Sequence, residues 1–556
     1  MSTLNKYFFL LICFLFATLA YAQPGPDGGL PSEEVKVIQD FEARLADSEK
    51  LVLMPELPPA EDATKNLNYK IPVKSLQMEY LAPKLRPLAM KAKKEEKGYK
   101  GYLKAGYGLP RASLGDFSYH FIDSEQFILG INLHHQAANN TKLEHQRFMD
   151  NRGEINGTYY LENGLAVGGN FGIDNRQLHF YGYDHTEQIY ERSQIRQRFN
   201  KVYGQANVFN GERNYGDINY KGIIDIYHLT DRYTAKETGV NIHLSGTKWF
   251  NEKHPFTLDV IADFTNPNNL LTNSINNYYI KPNFTWHGDR FRFKAGVNFA
   301  FDDRKLESSN NRSGGTHIFP DAELAVNILG NKLAAYLGAG GDLEKNTMLS
   351  LSEYNPFIAT QDELLLRNSR HYHFYGGVKG NLTLLDYQIE GGYKPTDDLA
   401  LFLNNEAPLD TTRFAVLYDT VDIYNLTGSL TATPIKNLVA TITLGQNYYR
   451  PKNEEKAWHL PSFSMNFSAR YTTLSDKLVV KGELFFENGV PFRDNQTQEV
   501  DHLNNLYDLN LGAEYRVFRN VGVFLDVNNV LNNKRQRWNR YPMFGTNLVG
   551  GVTARF

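Results

Sequence analysis

Histidines and paired carboxylates are the residues of this chain most able to do chemistry. The strongest metal candidates are His134-His135 and His371-Tyr372-His373, and the strongest calcium candidates are Asp302-Asp303 and Asp397-Asp398. Adjacent side chains of a strand point to opposite faces, so His134 and His135 make a poor chelate. His371 and His373 share a face and could hold a metal, with hydrogen bonding as the plainer role. The aspartate pairs suit calcium only if they lie in loops, and solvated turn positions explain them as well. No nucleophile elbow, HExxH helix, phosphate loop or cysteine ligand set is present, and Cys13 is the single cysteine. The reading is therefore of a protein that is not an enzyme, with no cofactor and no metal assigned.

The remaining charges sit on elements of one repeated kind. Phe291, Phe293, Ala295, Val297, Phe299 and Phe301 fall on one face of a strand, and Arg290, Arg292, Lys294, Asn298 and Asp302 on the other. Phe463 to Tyr471 and Phe256 to Phe264 repeat the alternation, as do Tyr507 to Val517 against Asp508, Asn510, Glu514 and Arg516. Placing Arg292 or Lys294 at mid-bilayer would cost roughly 2–4 kcal/mol each, so the charged face must line a lumen. Arg290, Arg292, Lys294, Asp508, Glu514 and Arg516 are accordingly expected to be lumenal. Their mixed signs suit cross-links within the wall, or docking of a polypeptide, better than an ion filter.

Very short polar turns join the strands: Asp123-Ser124, Asn163-Gly164, Gly211-Glu212, Glu252-Lys253, Gly288-Asp289, Gly330-Asn331, Leu385-Asp386, Lys436-Asn437, Ser475-Asp476 and Arg519-Asn520. Long polar segments, such as Asp302 to Gly315 and Lys345 to Arg370, fall between them. The fold class expected is all-β, a transmembrane antiparallel β-barrel of about 22 strands with its short turns in the periplasm, where both chain ends then lie. The pieces around Leu399 to Leu417 are hard to place. A secreted propeller fits the period but needs four short strands per repeat, where two long ones are found. Tyr and Phe, 34 and 35 residues, are abundant enough for interfacial girdles.

Lys6, the apolar run Tyr7 to Leu19 and Ala20-Tyr21-Ala22 read as a signal peptide over 1–22. Beyond it no apolar stretch is long enough for a membrane helix. Residues 23–98 read as a periplasmic N-terminal segment: one amphipathic helix presenting Val37, Ile38, Phe41 and Leu45, then a Pro-rich extended region. A net charge of −3 gives no reason to expect a nucleic-acid partner. The barrel is assigned to 99–556.

The chain ends on an amphipathic strand with Leu548, Gly550, Val552, Ala554 and Phe556 on one face, read as a barrel C-terminal signal carried by Leu548, Val552 and Phe556. Together with Val523-Phe524-Leu525-Asp526-Val527-Asn528-Asn529-Val530-Leu531-Asn532, it resembles the C-terminal end of TonB-dependent receptors. The resemblance covers the barrel and is sharpest over the last fifty or so residues. It implies a Gram-negative outer-membrane protein in contact with outer-membrane lipids. Family members carry a folded plug before the barrel; residues 23–98 are about half that length and differ in texture, so a standard plug is not expected. Two functions follow as expectations. One is a structural or docking component that meets a periplasmic or lipoprotein partner through residues 23–98. The other is a transporter or wide porin with a reduced or separately supplied plug.

Overall fold

The computed structural model describes residues 98–556 apart from 213, 215, 217, 269–271, 307–311, 361–363, 405–411 and 496. The helix expected at Val37, Ile38, Phe41 and Leu45 lies outside the described residues. A first arc of wall runs through β1 (Gly101–Leu109), β2 (Ala112–Asp123), β3 (Phe127–Asn139), β4 (Arg147–Tyr160), β5 (Leu165–His179), β6 (Arg196–Asn210), β7 (Ile218–Asp231) and β8 (Lys236–Phe250). It continues through β9 (His254–Asn268), β10 (Thr272–His287), β11 (Phe291–Leu306), β12 (Arg312–Asn327), β13 (Ala334–Lys345), β14 (Asn368–Asn381), β15 (Leu385–Asn404) and β16 (Phe414–Ala432). After β17 (Leu438–Pro451), β18 (Phe463–Thr473) and β19 (Leu478–Asn488), a small hairpin of β20 (Pro491–Arg493) and β21 (Val500–His502) interrupts the wall. β22 (Leu506–Arg516) and β23 (Val521–Asn528) resume it, the hairpin of β24 (Gln536–Trp538) and β25 (Tyr541–Pro542) follows, and β26 (Asn547–Arg555) is the last strand. One helix, α1 (Met348–Tyr354), lies between β13 and β14.

The sheet has 22 strands, each antiparallel to its neighbour, and β26 pairs with β1 from Tyr102↔Arg555 to Leu109↔Leu548. Closure leaves no edge, so the backbone groups of the wall are satisfied without water, the condition a bilayer imposes. All ten short turns lie at one rim, together with the start of β1 and the end of β26. Asn251 and Glu252 both adopt positive φ, 50° and 60°, the backbone a tight hairpin requires. One expected turn is displaced: Leu385 and Asp386 begin β15, and the chain reverses over Leu382, Thr383 and Leu384, with Thr383 at φ 62°. Asp302 to Gly315 is mostly strand, because β11 runs on to Leu306 and β12 starts at Arg312. The apolar pieces around Leu399 to Leu417 are the far ends of β15 and β16.

Outer and inner faces follow the two-residue period. Cross-strand partners on the outer face form layers, for example Tyr159–Val167–Val208, then Ile155–Phe171–Gly204–Ile226, then Ile173–Val202. Aromatic side chains gather near the turn rim, where Tyr119 meets Phe121 at 5.1 Å between centroids and Phe127 meets Tyr159 at 6.2 Å. The Phe556 ring stacks at 5.8 Å on Tyr119 and lies over Gly101, where any side chain would collide with it. The wall is uneven in height: β15 and β16 have 20 and 19 residues, against 9 each in β1 and β26.

Candidate functional site

The rim opposite the turns carries loops that do not stand apart from one another. Loops 346–367 and 529–546 converge on a single apolar core. Met348, Leu351, Ile358, Leu364 and Leu366 come from the first, and Trp538 and Tyr541 from the last. Phe402 and Phe414 supply the ends of β15 and β16, while Leu178, Phe199 and Leu229 come from β5, β6 and β7. In a 22-strand barrel β5 and β16 are half a circumference apart, roughly 40 Å across the mouth. A core shared by both walls therefore has to bridge the opening. Trp538 is its keystone: its ring is 5.4 Å from Phe402, 5.5 Å from Phe414 and 5.7 Å from Tyr354, all edge-on. Tyr541 stacks on Phe357 at 3.6 Å and meets Tyr181 edge-on at 5.0 Å.

Polar pins hold this closure to the wall. Glu237 of β8 is fully buried, and its carboxylate accepts from Met348 N at 2.7 Å and Leu349 N at 3.1 Å, while Tyr227 Oη donates to it at 2.9 Å. A carboxylate at the first turn of α1 satisfies orphan amides and matches the helix dipole. The Thr347 hydroxyl accepts from Ser350 N, completing a capping box. Asp231, at the end of β7, accepts from Gln197 at 3.1 Å and from Thr360 of the α1 loop. Arg537 reaches Glu487 at 2.9 Å and lies 4.8 Å over the Trp538 ring.

His459, in loop 452–462, is wholly buried. Its Nδ1 donates to Phe402 O at 2.7 Å and its Nε2 accepts from Asn539 N at 3.4 Å, which fixes the neutral tautomer. Burial pushes its pKa down to about 3, aided by the nearby Arg537 charge. Burial likewise pushes the Tyr181 phenol up to about 12, and Tyr181 Oη donates to Pro542 O at 3.0 Å.

Asn529 and Asn532, from the motif that carries the family resemblance, form the hinge of loop 529–546. Both take left-handed backbone, φ 49° and 51°, a region asparagine tolerates. Asn529 is buried; its Nδ2 donates to Asn533 O at 2.6 Å and to Phe544 O at 2.7 Å, and its Oδ1 accepts from Asn533 N at 2.9 Å. The side chain thus clasps both limbs of the loop. Below it is a cavity of about 570 Å³ lined by Lys481, Glu483, Asp508, Asp526, Phe544 and Val549.

The charges singled out from sequence separate into three groups. Arg292 pairs with Glu323 and Lys294 with Asp321 at 2.7 Å, both across β11 and β12 on the inner face. Glu514 accepts from Arg555 at 3.5 Å and from Thr553 Oγ1 at 3.2 Å, and Asp508 faces the cavity. Arg290 is not on a strand: it is the second central residue of the tight turn before β11, exposed at the rim, where Gly288 N donates to Phe291 O at 2.8 Å and closes the hairpin. Arg516 is the last residue of β22. Leu548, Val552 and Phe556 all project outward. The inner wall is braced further by Lys104–Asp526 at 2.8 Å, Lys281–Asp342 at 2.6 Å and Lys345–Asp263 at 2.6 Å.

Most of the histidine and aspartate candidates are engaged elsewhere, whereas His371 Nδ1 is buried without a hydrogen-bond partner. His134 pairs with Asp116 at 2.6 Å, while His135 bonds Ser113 at 2.8 Å and Asn151 at 2.6 Å on the other face. His373 stacks on Tyr375, Asp302 accepts from His317 at 2.8 Å, and Asp397 and Asp398 pair with Arg370 and Arg367. Among the described residues no three potential metal ligands come together. The closure residues were missed in the sequence. The available signal was large apolar side chains, Trp458, Trp538 and Tyr541, inside otherwise polar loops.

No family model matches the sequence, and no curated protein matches it. Solved structures do share the fold. The FrpB iron transporter of Neisseria meningitidis superposes with a TM-score of 0.65 at 10% identity, over 83% of each chain. The ferric-catecholate import receptor Fiu of E. coli K12, in its closed form, gives 0.62 at 9% identity over 83% of this chain and 82% of that one. The pyoverdine outer-membrane receptor FpvA of Pseudomonas aeruginosa PAO1, bound to pyoverdine, gives 0.60 at 12% identity over 84% and 79%. The barrel thus has the fold of the TonB-dependent outer-membrane receptors that its C-terminal sequence resembles.

Proposed function

We propose that this protein is an integral outer-membrane barrel whose outward mouth is closed by its own loops, and that it serves as a structural or docking component of an outer-membrane assembly. The observation that carries this reading is the apolar core shared by β5–β7, β15, β16 and loops 346–367 and 529–546. A ligand-gathering mouth needs accessible side chains. Here the largest apolar residues of the rim, Trp538, Phe402 and Phe414, are spent on closing it. The belt of outward Ile, Val, Phe and Leu side chains supports contact with outer-membrane lipid, since no charge interrupts the middle of it. The turn rim then faces the periplasm. From there residues 23–98, through Val37, Ile38, Phe41 and Leu45, engage a periplasmic or lipoprotein partner. Affinity capture with the full chain and with a deletion of residues 31–90 tests this: one partner should disappear while the barrel still assembles. Recovery of the same partners from both would overturn it.

The alternative is uptake, supported by the fold shared with import receptors and by the cavity beneath loop 529–546. It requires the closure to open. In planar bilayers the full chain should show almost no conductance under the docking reading. Frequent large openings of the unmodified protein would favour uptake instead.

A further inference from the structure

On the outer face of β4–β8 the layers change character toward the loop rim. Above the row Gly153–Ile173–Val202–His228 comes an amide row, Asn151–Asn175–Asn200–Thr230, which ends on Lys236 of β8. Asn175 Nδ2 donates to Asn200 Oδ1 within it. One row higher Gln177 pairs with Arg198, and the row above that pairs His179 with Arg196. Arg147 and Arg232, at the ends of β4 and β7, flank these two rows. Successive rows are about 7 Å apart, so the arginines begin two rows above the last apolar one.

This array is unbalanced. Arg147, Arg196, Arg198 and Arg232 have no carboxylate partner among the described residues. Arg196 feels Arg232, Arg198 and Arg192, and Arg147 feels Arg192. Two acids of the adjoining loops bond elsewhere, Glu144 lying 3.4 Å from His145 and Glu191 accepting from Ser193 at 3.4 Å, and neither forms an ion pair with these arginines among the described residues. Nε of Arg196 and of Arg198 are buried and have no hydrogen-bond partner. At the end of β14 the corresponding charge is neutralised within the wall, Arg370 by Asp397, and on β17 Arg450 lies over the Tyr424 and Tyr448 rings. Cations held this close repel one another unless an anion sits among them. Guanidinium groups match phosphate oxygens in a bidentate way.

We infer that the outer face of β4–β8 binds the phosphate of an anionic lipid headgroup through Arg147, Arg196, Arg198 and Arg232. The occupant must be a lipid because the array continues the apolar belt on the same face. A soluble phosphate or a protein would have to stand at the level of the bilayer surface. The inference rests on the membrane placement proposed above.

The test uses the full chain. Flotation with liposomes establishes insertion, and failure to float removes the membrane reading itself. Native mass spectrometry of the detergent-purified protein then counts retained phosphatidylglycerol and phosphatidylcholine. Phosphatidylglycerol should be retained preferentially, and Arg147→Gln, Arg196→Gln, Arg198→Gln and Arg232→Gln should weaken retention by about fivefold each. Arg196→Lys and Arg198→Lys should retain more lipid than the glutamine variants. Should one of these variants not assemble, the remaining single variants give the same reading. Equal retention of the two lipids, glutamine variants that float and retain phosphatidylglycerol undiminished, or displacement by equimolar inorganic phosphate would each overturn the inference.

Discussion

Asn529 shows how one side chain sets the course of an eighteen-residue-long excursion, 529–546. Its three hydrogen bonds join the two limbs of chain at the base of the loop, below the β24–β25 hairpin that pairs them at its tip. Asn529→Ala should cost on the order of 1–3 kcal/mol, because two carbonyls and one amide lose a buried partner. Hydrogen exchange over 529–546 should rise while exchange in β23 and β26 stays low. His459 gives a pH dependence. Its folded pKa is about 3, below an unfolded value near 6.5, so between those values the unfolded chain binds the extra proton. Its contribution to closure is complete above about pH 6.5 and is lost as pH falls toward 3. Protection factors in loop 452–462, with exchange corrected for its intrinsic pH dependence, should fall at pH 4.5 relative to pH 7.5, and His459→Gln should flatten that difference. The asparagines were legible in the sequence as a resemblance and not as a clasp. Their partners are carbonyls, which carry no side-chain identity to read. His459 was not legible, because its burial is decided by Phe402 and Trp538, far away along the chain.

At the scale of elements, α1 is too short to persist alone and depends on what caps and covers it. Glu237→Ala should leave Met348 N and Leu349 N without their acceptor and cost on the order of 2–3 kcal/mol. Trp538→Ala should be worse, about 3–5 kcal/mol, because the cavity it leaves is walled by four aromatic rings. Both variants should assemble as barrels, which heat-modifiable migration in gels would check. The strands themselves were readable with few errors. Two-residue alternation is enforced at every position by lipid on one side and ion pairs on the other, so Phe291 and Arg292 could be assigned at sight. The errors fell where that pressure ends. Asp302 to Gly315 reads as loop by polarity, yet β11 and β12 carry on beyond the apolar belt, where both faces are polar. Arg290 kept the parity of its strand in the sequence but occupies the tight turn that precedes it.

For the molecule as a whole, conductance is the property that integrates these parts. The full chain should be nearly silent in a planar bilayer, and Trp538→Ala should raise the frequency of openings without changing ion selectivity, since the mixed-sign wall is untouched. A silent Trp538→Ala barrel would mean that the lumen is obstructed below the loops as well. Strand number and closure were within reach of the sequence because they are sums of local patterns. The closure of the mouth was not, because it joins residues such as Phe199, Met348 and Trp538 that are distant in the chain and alike only in being large and apolar. The unequal wall has its own consequence. A bilayer has one thickness around the whole circumference, so the excess of β15, 20 residues against 9 in β1, must stand clear of it. At roughly 3.3 Å per residue that is on the order of 35 Å of strand, shortened by tilt. The barrel therefore presents a crest on one side and a low sill on the other. Anything reaching the barrel from its loop rim would meet β15 and β16 first, with β1 and β26 in their shadow.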